Sequence, residues 1–447
     1  MSAAISVEAV VTIPSAGFAP HYRSLSGWNA LLTAREARVE LPRTRQVASI
    51  VVGAGYTGLA AARRLAEIEP GREVLVIEAS ELGEGAAGRN SGFLSAFPIE
   101  PRAHGQDTAD HAAARQIRLA RAGLELLRRL VIAHDIDCGW DEEAPRLDAA
   151  ATAKGLAAIA ARQSARQRWG LAGHFVESAE LTVSTGTTYY RRAYSPHGNV
   201  FVQPAALIRG LGESLPESVH LLERTEVTSV SRTGPLRVAT TRGEFSADRV
   251  LIAANAHARA LGLLRDRIIA IYTYGGLTPE LDQVELAKLG ALPQWGIIPA
   301  HRLGTTLRKF ANRRFLVRSG DSYERELPLA QVRALLTQLY LSRYPQMASH
   351  QLEHVWGGVT AITHNGGLFF GMDRPGLFVS AGCNGSGVVR GTINGHLLAE
   401  MACGSQSALL SDRLALKGPS WIPPEPFRQI GVRMSIALEQ RQAGQEI

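Results

Sequence analysis

The chain has only three cysteines, Cys138, Cys383 and Cys403, among 447 residues. They are odd in number, far apart and form no C-x-x-C pair, which argues against a disulfide framework and a cysteine-built zinc site. The histidines offer no ligand spacing either: His301, His354 and His364 fit no recognised metal pattern and read as loop or surface residues, so no metal is expected. No apolar stretch reaches the length of a membrane span, and the first residues lack the charged region, apolar run and cleavage site of a secretory signal. The expectation is a cytoplasmic protein with reduced thiols and no membrane span. Positive charge is not lacking, with 48 Lys and Arg against 41 Asp and Glu and a net charge of +7. These residues are scattered and accompany no nucleic-acid motif, so no nucleic-acid partner is expected. Mild positive potential suits an anionic cofactor or a carboxylate substrate.

What is present is an ordinary globular composition, 45% hydrophobic and 20% charged, in a chain long enough for two associated domains. No internal repeat or low-complexity segment interrupts it. Residues 1–45 read as an arm packed on the body, with a short helical stretch from Trp28 to Val39 before Pro42. Apolar periodicity predicts helices over Asp107–His134, Ala149–Trp169 and Leu329–Tyr344, the last stopped by Pro345. Strand character recurs at Val219–Leu222, Leu236–Thr240, Arg249–Ala254, Phe315–Arg318 and Leu377–Ala381. A proline-rich loop from Pro419 to Pro426 precedes a short helix from Ile430 to Gln440.

The densest chemical signal lies near the start. An apolar run from Val47 to Val52 leads into Gly53-x-Gly55-x-x-Gly58, then a helical pattern from Leu59 to Ile68, then a strand from Glu73 to Ile77 that ends at Glu78. Gly53 permits the tight turn, Gly55 lets backbone approach a pyrophosphate, and Gly58 lets the helix pack closely on the strands. Tyr56 and Thr57 lie at the helix start, whose free N–H groups and positive dipole end face the phosphates. Glu78, twenty residues after Gly58, stands where an acidic side chain meets the adenosine ribose hydroxyls and repels a 2′-phosphate, which disfavours NADP. The fingerprint alone leaves FAD and NAD open. The run Gly85-Ala86-Ala87-Gly88-Arg89-Asn90-Ser91-Gly92 reads as a second loop approaching the cofactor, or as an ordinary surface loop.

At these residues the sequence resembles the D-amino-acid oxidase superfamily of FAD proteins, and within it the gamma-glutamylputrescine oxidase branch. The resemblance covers nearly the whole chain. Besides the fingerprint it takes in Gly85–Gly92, the Gln203-Pro204 step, Ala253-Ala254-Asn255-Ala256, Trp356-Gly357-Gly358 followed by Thr363-x-Asn365, and Gly382-Cys383-Asn384-Gly385-Ser386-Gly387. It implies an α/β fold: a Rossmann-type FAD-binding domain from 46–104, 196–262 and 350–410, interleaved with an α+β substrate domain from 105–195 and 263–349. The substrate domain would combine an antiparallel sheet with helices, and a tail at 411–447 would pack on the body. Gly88, Arg89, Asn90 and Ser91 would line the cofactor, with Ala79 beside Glu78 and with Val227. Gly385, Ser386, Gly387 and Val388 would bring a helix N-terminus to the N1 and C2-carbonyl edge of the flavin, where charge develops on reduction. Relatives commonly carry a His in that loop, whereas Cys383, Asn384 and Ser386 stand here, so any role of that His is lost. No His in the Gly85–Gly92 loop and no Cys near Trp356 matches the covalent attachment of some relatives, so noncovalent FAD is expected.

The resemblance implies oxidation of the C–N bond of a small amine or amino acid by hydride transfer to flavin N5, giving an imine that hydrolyses. Such chemistry needs orientation and water exclusion more than a strong base, so the missing catalytic triad is no obstacle. Tyr272, Tyr274, Arg308 and Trp356 lie in segments resembling the substrate walls of the superfamily, with Arg308 suited to a bidentate carboxylate contact. Taken singly, each also fits a plainer role: strand tyrosines, a core tryptophan, a surface or phosphate-facing arginine. Oxygen or a quinone would reoxidise the flavin. Oxidation of a 2-hydroxy acid and a flavin-binding subunit of a larger complex remain alternatives, since fold does not fix function.

Overall fold

The computed structural model describes residues 22–97, 106–231 and 235–447. The first 21 residues of the expected arm lie outside this range. Two eight-stranded sheets organise the chain. At the centre of the first, Gln46–Val52 pairs in parallel with Val74–Ile77 on one side and Gly243–Ile252 on the other. Val219–Leu222 and Leu377–Ala381 extend it in parallel at either side. The central strand reads Val-Ala-Ser-Ile-Val-Val without polar alternation because helices cover both faces of such a sheet. One covering helix, Tyr56–Ile68, buries nine of its thirteen residues. Gly391 and Gly395 of Gly387–Ala402, the helix that follows the last strand of the sheet, allow it close contact at Tyr56 and Thr57.

The second sheet runs His354–Ile362, Ile269–Leu277, Phe315–Tyr323, Thr306–Lys309, Trp295–Pro299, Arg146–Ala150, Arg192–Pro196, Gly173–Glu177. It is antiparallel except where Trp295–Pro299 meets Arg146–Ala150. The α/β architecture follows the sequence reading, and one segment departs from its division of the chain. His354–Ile362, allotted to the FAD-binding part, pairs along its whole length with Ile269–Leu277 in the second sheet. A Trp-Gly-Gly motif specifies extended backbone without specifying a partner.

Two helices were placed too generously from sequence. Among its described residues the arm forms one helix, Gly27–Ala30, capped by Ser26, because Trp28 is its anchor and no apolar stripe continues beyond the half-buried Leu31 and Leu32. The helix expected from Ala149 begins at Ala153, capped by Thr152. The alanines before it belong to Arg146–Ala150, where cross-strand pairing with Arg192–Pro196 overrides their helix propensity. Among the described residues no helix is long and apolar enough to cross a membrane.

Candidate active site

The parallel strands of the first sheet deliver their C-terminal ends to one large cavity, about 1420 Å³. Gly53 turns the chain there with φ +101°, a left-handed conformation that favours glycine. A Cβ on Gly58 would lie 1.8 Å from the Gly53 carbonyl oxygen, so the helix can start this close to the loop only with glycine. At Gly55 the nearest atom to an added Cβ is 3.9 Å away, which leaves open space on the cavity side. Gly55 caps the helix without a side-chain bond, so backbone N–H groups remain for a ligand. Glu78 ends the neighbouring strand and accepts the Ala54 N–H through Oε2 at 2.8 Å and the Ser80 N–H through Oε1 at 3.1 Å. Burial pushes its carboxyl above the ordinary value, against the pull of those donors. The open glycine, free donors and buried acceptor fit an adenosine diphosphate moiety.

Of the residues expected at the cofactor, Gly53, Gly55, Tyr56, Thr57, Glu78, Ala79 and Val227 line this cavity, as do Arg89, Asn90 and Ser91. Gly58 and Gly88 stand behind the lining as close-packing positions, since a Cβ on Gly88 would meet the Gly83 carbonyl at 2.0 Å. Arg89 is a cross-link. Its guanidinium donates to the carbonyls of Glu84, Gly357 and Ser24 and stacks 3.9 Å from the Tyr22 ring. Two tryptophans hold the same loop by its backbone: Trp356 Nε1 donates to the Arg89 carbonyl and Trp28 Nε1 to the Asn90 carbonyl.

The loop from Gly382 to Gly387 borders the cavity and leads into Gly387–Ala402, one residue earlier than the helix expected from Val388. Asn255 Oδ1 accepts the N–H groups of Gly382 and Cys383 at 3.0 and 3.3 Å, and its Nδ2 lies 3.2 Å from Cys383 Sγ. Asn384 accepts the Thr363 N–H and donates to the Gly366 and Gly382 carbonyls. The Gly385 N–H is spent on Thr360 Oγ1 at 3.2 Å. Ser386 adds no side-chain cap, so the N–H groups of the first turn of the helix, starting at Gly387, face the cavity end of the loop.

The substrate wall differs from the one expected. Along Ile269–Leu277 the odd-numbered Ile269, Ile271 and Thr273 line the cavity. Tyr272 and Tyr274 are buried in the core with Val332 and Leu336, because strand side chains alternate between faces. Tyr274 borders the cavity, but its hydroxyl is bound to Ser322 Oγ at 2.5 Å and takes the Leu327 N–H at 2.8 Å. Trp356 is buried against Trp28. Arg308 lies beneath the ribbon formed by Phe93–Ser95 and Asn199–Phe201, donating through one nitrogen to the carbonyls of Ser91, Gly92 and Val202. Burial lowers its pKa to about 9. It is thus neither a surface charge nor a substrate contact.

The residue in the place expected of Arg308 is Arg318, which the sequence reading did not single out. It is paired across the sheet with Thr306, one residue row from Arg308 on the same face, and it lines the cavity. Burial lowers its pKa, with Asp321 opposing, yet among the described residues no carboxylate forms an ion pair with it. A strand reading Phe-Leu-Val-Arg carried the signal, a lone cation in an apolar run. His301 and His364 also line the cavity, as loop residues. Among the described residues no cluster of three or more His, Cys, Asp or Glu could hold a metal ion.

A parallel sheet with a dinucleotide cradle, facing a mostly antiparallel sheet across one cavity, defines the architecture of a flavin-dependent oxidoreductase. The chain belongs to the FAD dependent oxidoreductase family, whose model matches residues 49–401. It is 27% identical over 363 residues to gamma-glutamylputrescine oxidoreductase of Escherichia coli (strain K12), covering 79% of this chain and 83% of that protein. It is 25% identical to the probable oxidoreductase OrdL of Rhizobium meliloti (strain 1021), over 86% and 89% of the two chains. Among solved structures, glycine oxidase from Geobacillus kaustophilus superposes with a TM-score of 0.70 at 19% identity, covering 82% of this chain and 96% of that one.

Proposed function

We propose that this chain oxidises the C–N bond of a small amine or amino acid with noncovalently held FAD. The observation that carries the reading is the continuity of one cavity from the Gly53 loop to the Arg318 guanidinium, which forms no ion pair among the described residues. When bound, FAD supplies a two-electron acceptor: a hydride leaves the substrate carbon, the nitrogen lone pair forms the C=N bond, and water hydrolyses the imine. The remaining work falls to the chain. Arg318 presents its planar fork to a substrate carboxylate and fixes which C–H bond faces the acceptor. The helix Phe427–Ala443 covers the cavity with Val432 and Ile436 and is tied down by an ion pair between Arg302 and Glu439, which limits water. The first turn of Gly387–Ala402 offers backbone donors for negative charge. The name of one curated relative, gamma-glutamylputrescine oxidoreductase, supports an amine substrate.

The experiment is denaturation of the purified yellow protein with identification of the released flavin, followed by anaerobic bleaching with panels of amines, amino acids and 2-hydroxy acids. FAD in the supernatant and bleaching by an amine are expected. Hydrogen peroxide formed in air, or its absence until a quinone is added, separates the two acceptors. Release of FMN overturns the cofactor reading, and bleaching by 2-hydroxy acids alone overturns the amine reading.

A further inference from the structure

The cavity extends past Arg318 along the second sheet. Arg318 pairs with Thr306, and the Ile297–Leu307 register places Ile298 beside Thr306. Ile298 in turn pairs with Asp148. Arg318 and Asp148 therefore share one row of the sheet, three strand spacings apart, roughly 14 Å at about 4.8 Å each. Thr306 and Ile298 line the cavity between them.

At the far end of that row stand three arginines around one carboxylate. Asp148 is fully buried; its Oδ1 accepts Arg146 Nε at 2.7 Å and its Oδ2 accepts a terminal nitrogen of Arg166 at 2.8 Å. The Phe97 ring lies under both guanidiniums, at 5.1 and 4.6 Å. Arg162 donates to the Ala300 carbonyl at 2.6 Å, and among the described residues it forms no ion pair. All three arginines line the cavity, whereas Asp148 does not. Among the described residues Arg146 and Arg166 neutralise the carboxylate with one charge to spare, and Arg162 adds another. A guanidinium has five N–H donors, and Arg166 spends only one of them here on a protein acceptor. Positive charge gathered in a sheltered wall is costly unless an anion meets it.

We infer that the substrate is an amine carrying a second, remote carboxylate, which the Arg146–Arg162–Arg166 cluster receives while Arg318 holds the end near the reacting carbon. The inference rests on the amine-oxidation reading above, and it assigns the three arginines to substrate selection. The two cationic points set a length: the acidic tail must extend several carbons along the Thr306 and Ile298 wall.

The test uses the flavin-loaded enzyme, with carboxylates that cannot be oxidised as probes of the flavin spectrum. Titrations with butyrate, glutarate, adipate and pimelate should give at least one dicarboxylate that binds tenfold or more tightly than its monocarboxylate counterpart. Arg162→Gln should erase most of that preference, and Arg162→Lys should restore part of it, with flavin content and circular dichroism confirming the fold. Anaerobic reduction should then be tenfold or more faster, as kcat/KM, for amines ending in a carboxylate than for the matching amides. Equal binding of mono- and dicarboxylates, or bleaching that ignores the tail charge, overturns the inference and leaves amine oxidation standing. A dicarboxylate preference that Arg162→Gln abolishes, with no amine bleaching the flavin, supports the anion site and overturns the amine reading instead.

Discussion

Gly395 and Thr57 lock the two cofactor-facing helices together: a Cβ at Gly395 would lie 1.9 Å from the Thr57 carbonyl oxygen. The contact fixes Tyr56–Ile68 against Gly387–Ala402, so the two helix starts approach the cavity as one unit. Gly395→Ala forces the backbones apart. A loss of about 1–3 kcal/mol is expected from overpacking, with weaker flavin retention, read by thermal melts of apoprotein and by gel filtration of holoprotein.

Glu78 lines the cavity and takes the Ala54 N–H, and we propose that the same carboxylate also meets the adenosine ribose of the cofactor. Glu78→Ala should weaken FAD binding by one to two decades, corresponding to about 1.5–3 kcal/mol for a charge-assisted contact. Glu78→Gln keeps an acceptor for Ala54 and should lose less. Equal affinities for both variants and the parent in a flavin-fluorescence titration would remove Glu78 from the cofactor site.

Gly385 has φ +79° and no atom within 4 Å of an added Cβ, so a larger side chain there is opposed by backbone conformation and not by crowding. Gly385→Val should pull the loop out of its left-handed turn and misplace the donors at Gly387 and Val388. Removing a well-placed donor to developing charge costs about 2.7–4 kcal/mol, so flavin reduction in stopped flow should slow by roughly a hundredfold or more. Wild-type rates in a flavin-replete variant would dissociate the loop from charge stabilisation.

Arg318→Met should raise KM for carboxylate-bearing amines and lower kcat/KM by roughly 10- to 150-fold, the equivalent of about 1.5–3 kcal/mol. Amines without a carboxylate should show a much smaller change. Arg308→Met provides the contrast: with three backbone carbonyls losing their donor, it should lower the melting temperature for any substrate panel.

Acid should unfasten the arm. Glu223 is fully buried; burial raises its pKa, but bonds from Arg35 and from the N–H groups of Arg38 and Leu82 outweigh this and hold it below the ordinary 4.5. A depressed carboxyl contributes stability that is present above its unfolded value and lost as pH falls through the folded one. Glu223→Gln should therefore be less stable than the parent near neutrality, and the gap should narrow in denaturant titrations between about pH 5 and about pH 3. A gap independent of pH would mean the carboxylate charge is not what holds the arm.

Much of this was legible because it is local. The turn at Gly53, the helix after it and Glu78 lie within one short stretch, and each follows from residue type and spacing. The strands Val219–Leu222, Leu236–Thr240 and Leu377–Ala381 were bounded correctly for the same reason. The substrate wall was not local. Arg308 and Arg318 occupy adjacent rows of one face, and what separates them is a ribbon made from residues 93–95 and 199–201 that covers the first and leaves the second open. In Ile271-Tyr272-Thr273-Tyr274 alternation is plain, but which parity meets the cavity depends on where the helix Leu329–Arg343 docks.

The central strand Gln46–Val52 has a parallel neighbour at Gly243–Ile252, which is flanked in turn by Leu377–Ala381. During synthesis, therefore, the glycine loop leaves the ribosome long before the strands that complete its sheet exist. Until some three hundred further residues have been added, the nascent first sheet has an unpaired edge and apolar faces that invite wrong partners. The cavity, walled by both the Gly53 loop and the loop that follows Leu377–Ala381, is therefore complete only once those later residues have been made. Expression at lower temperature, or with more chaperone, should raise the flavin-loaded fraction.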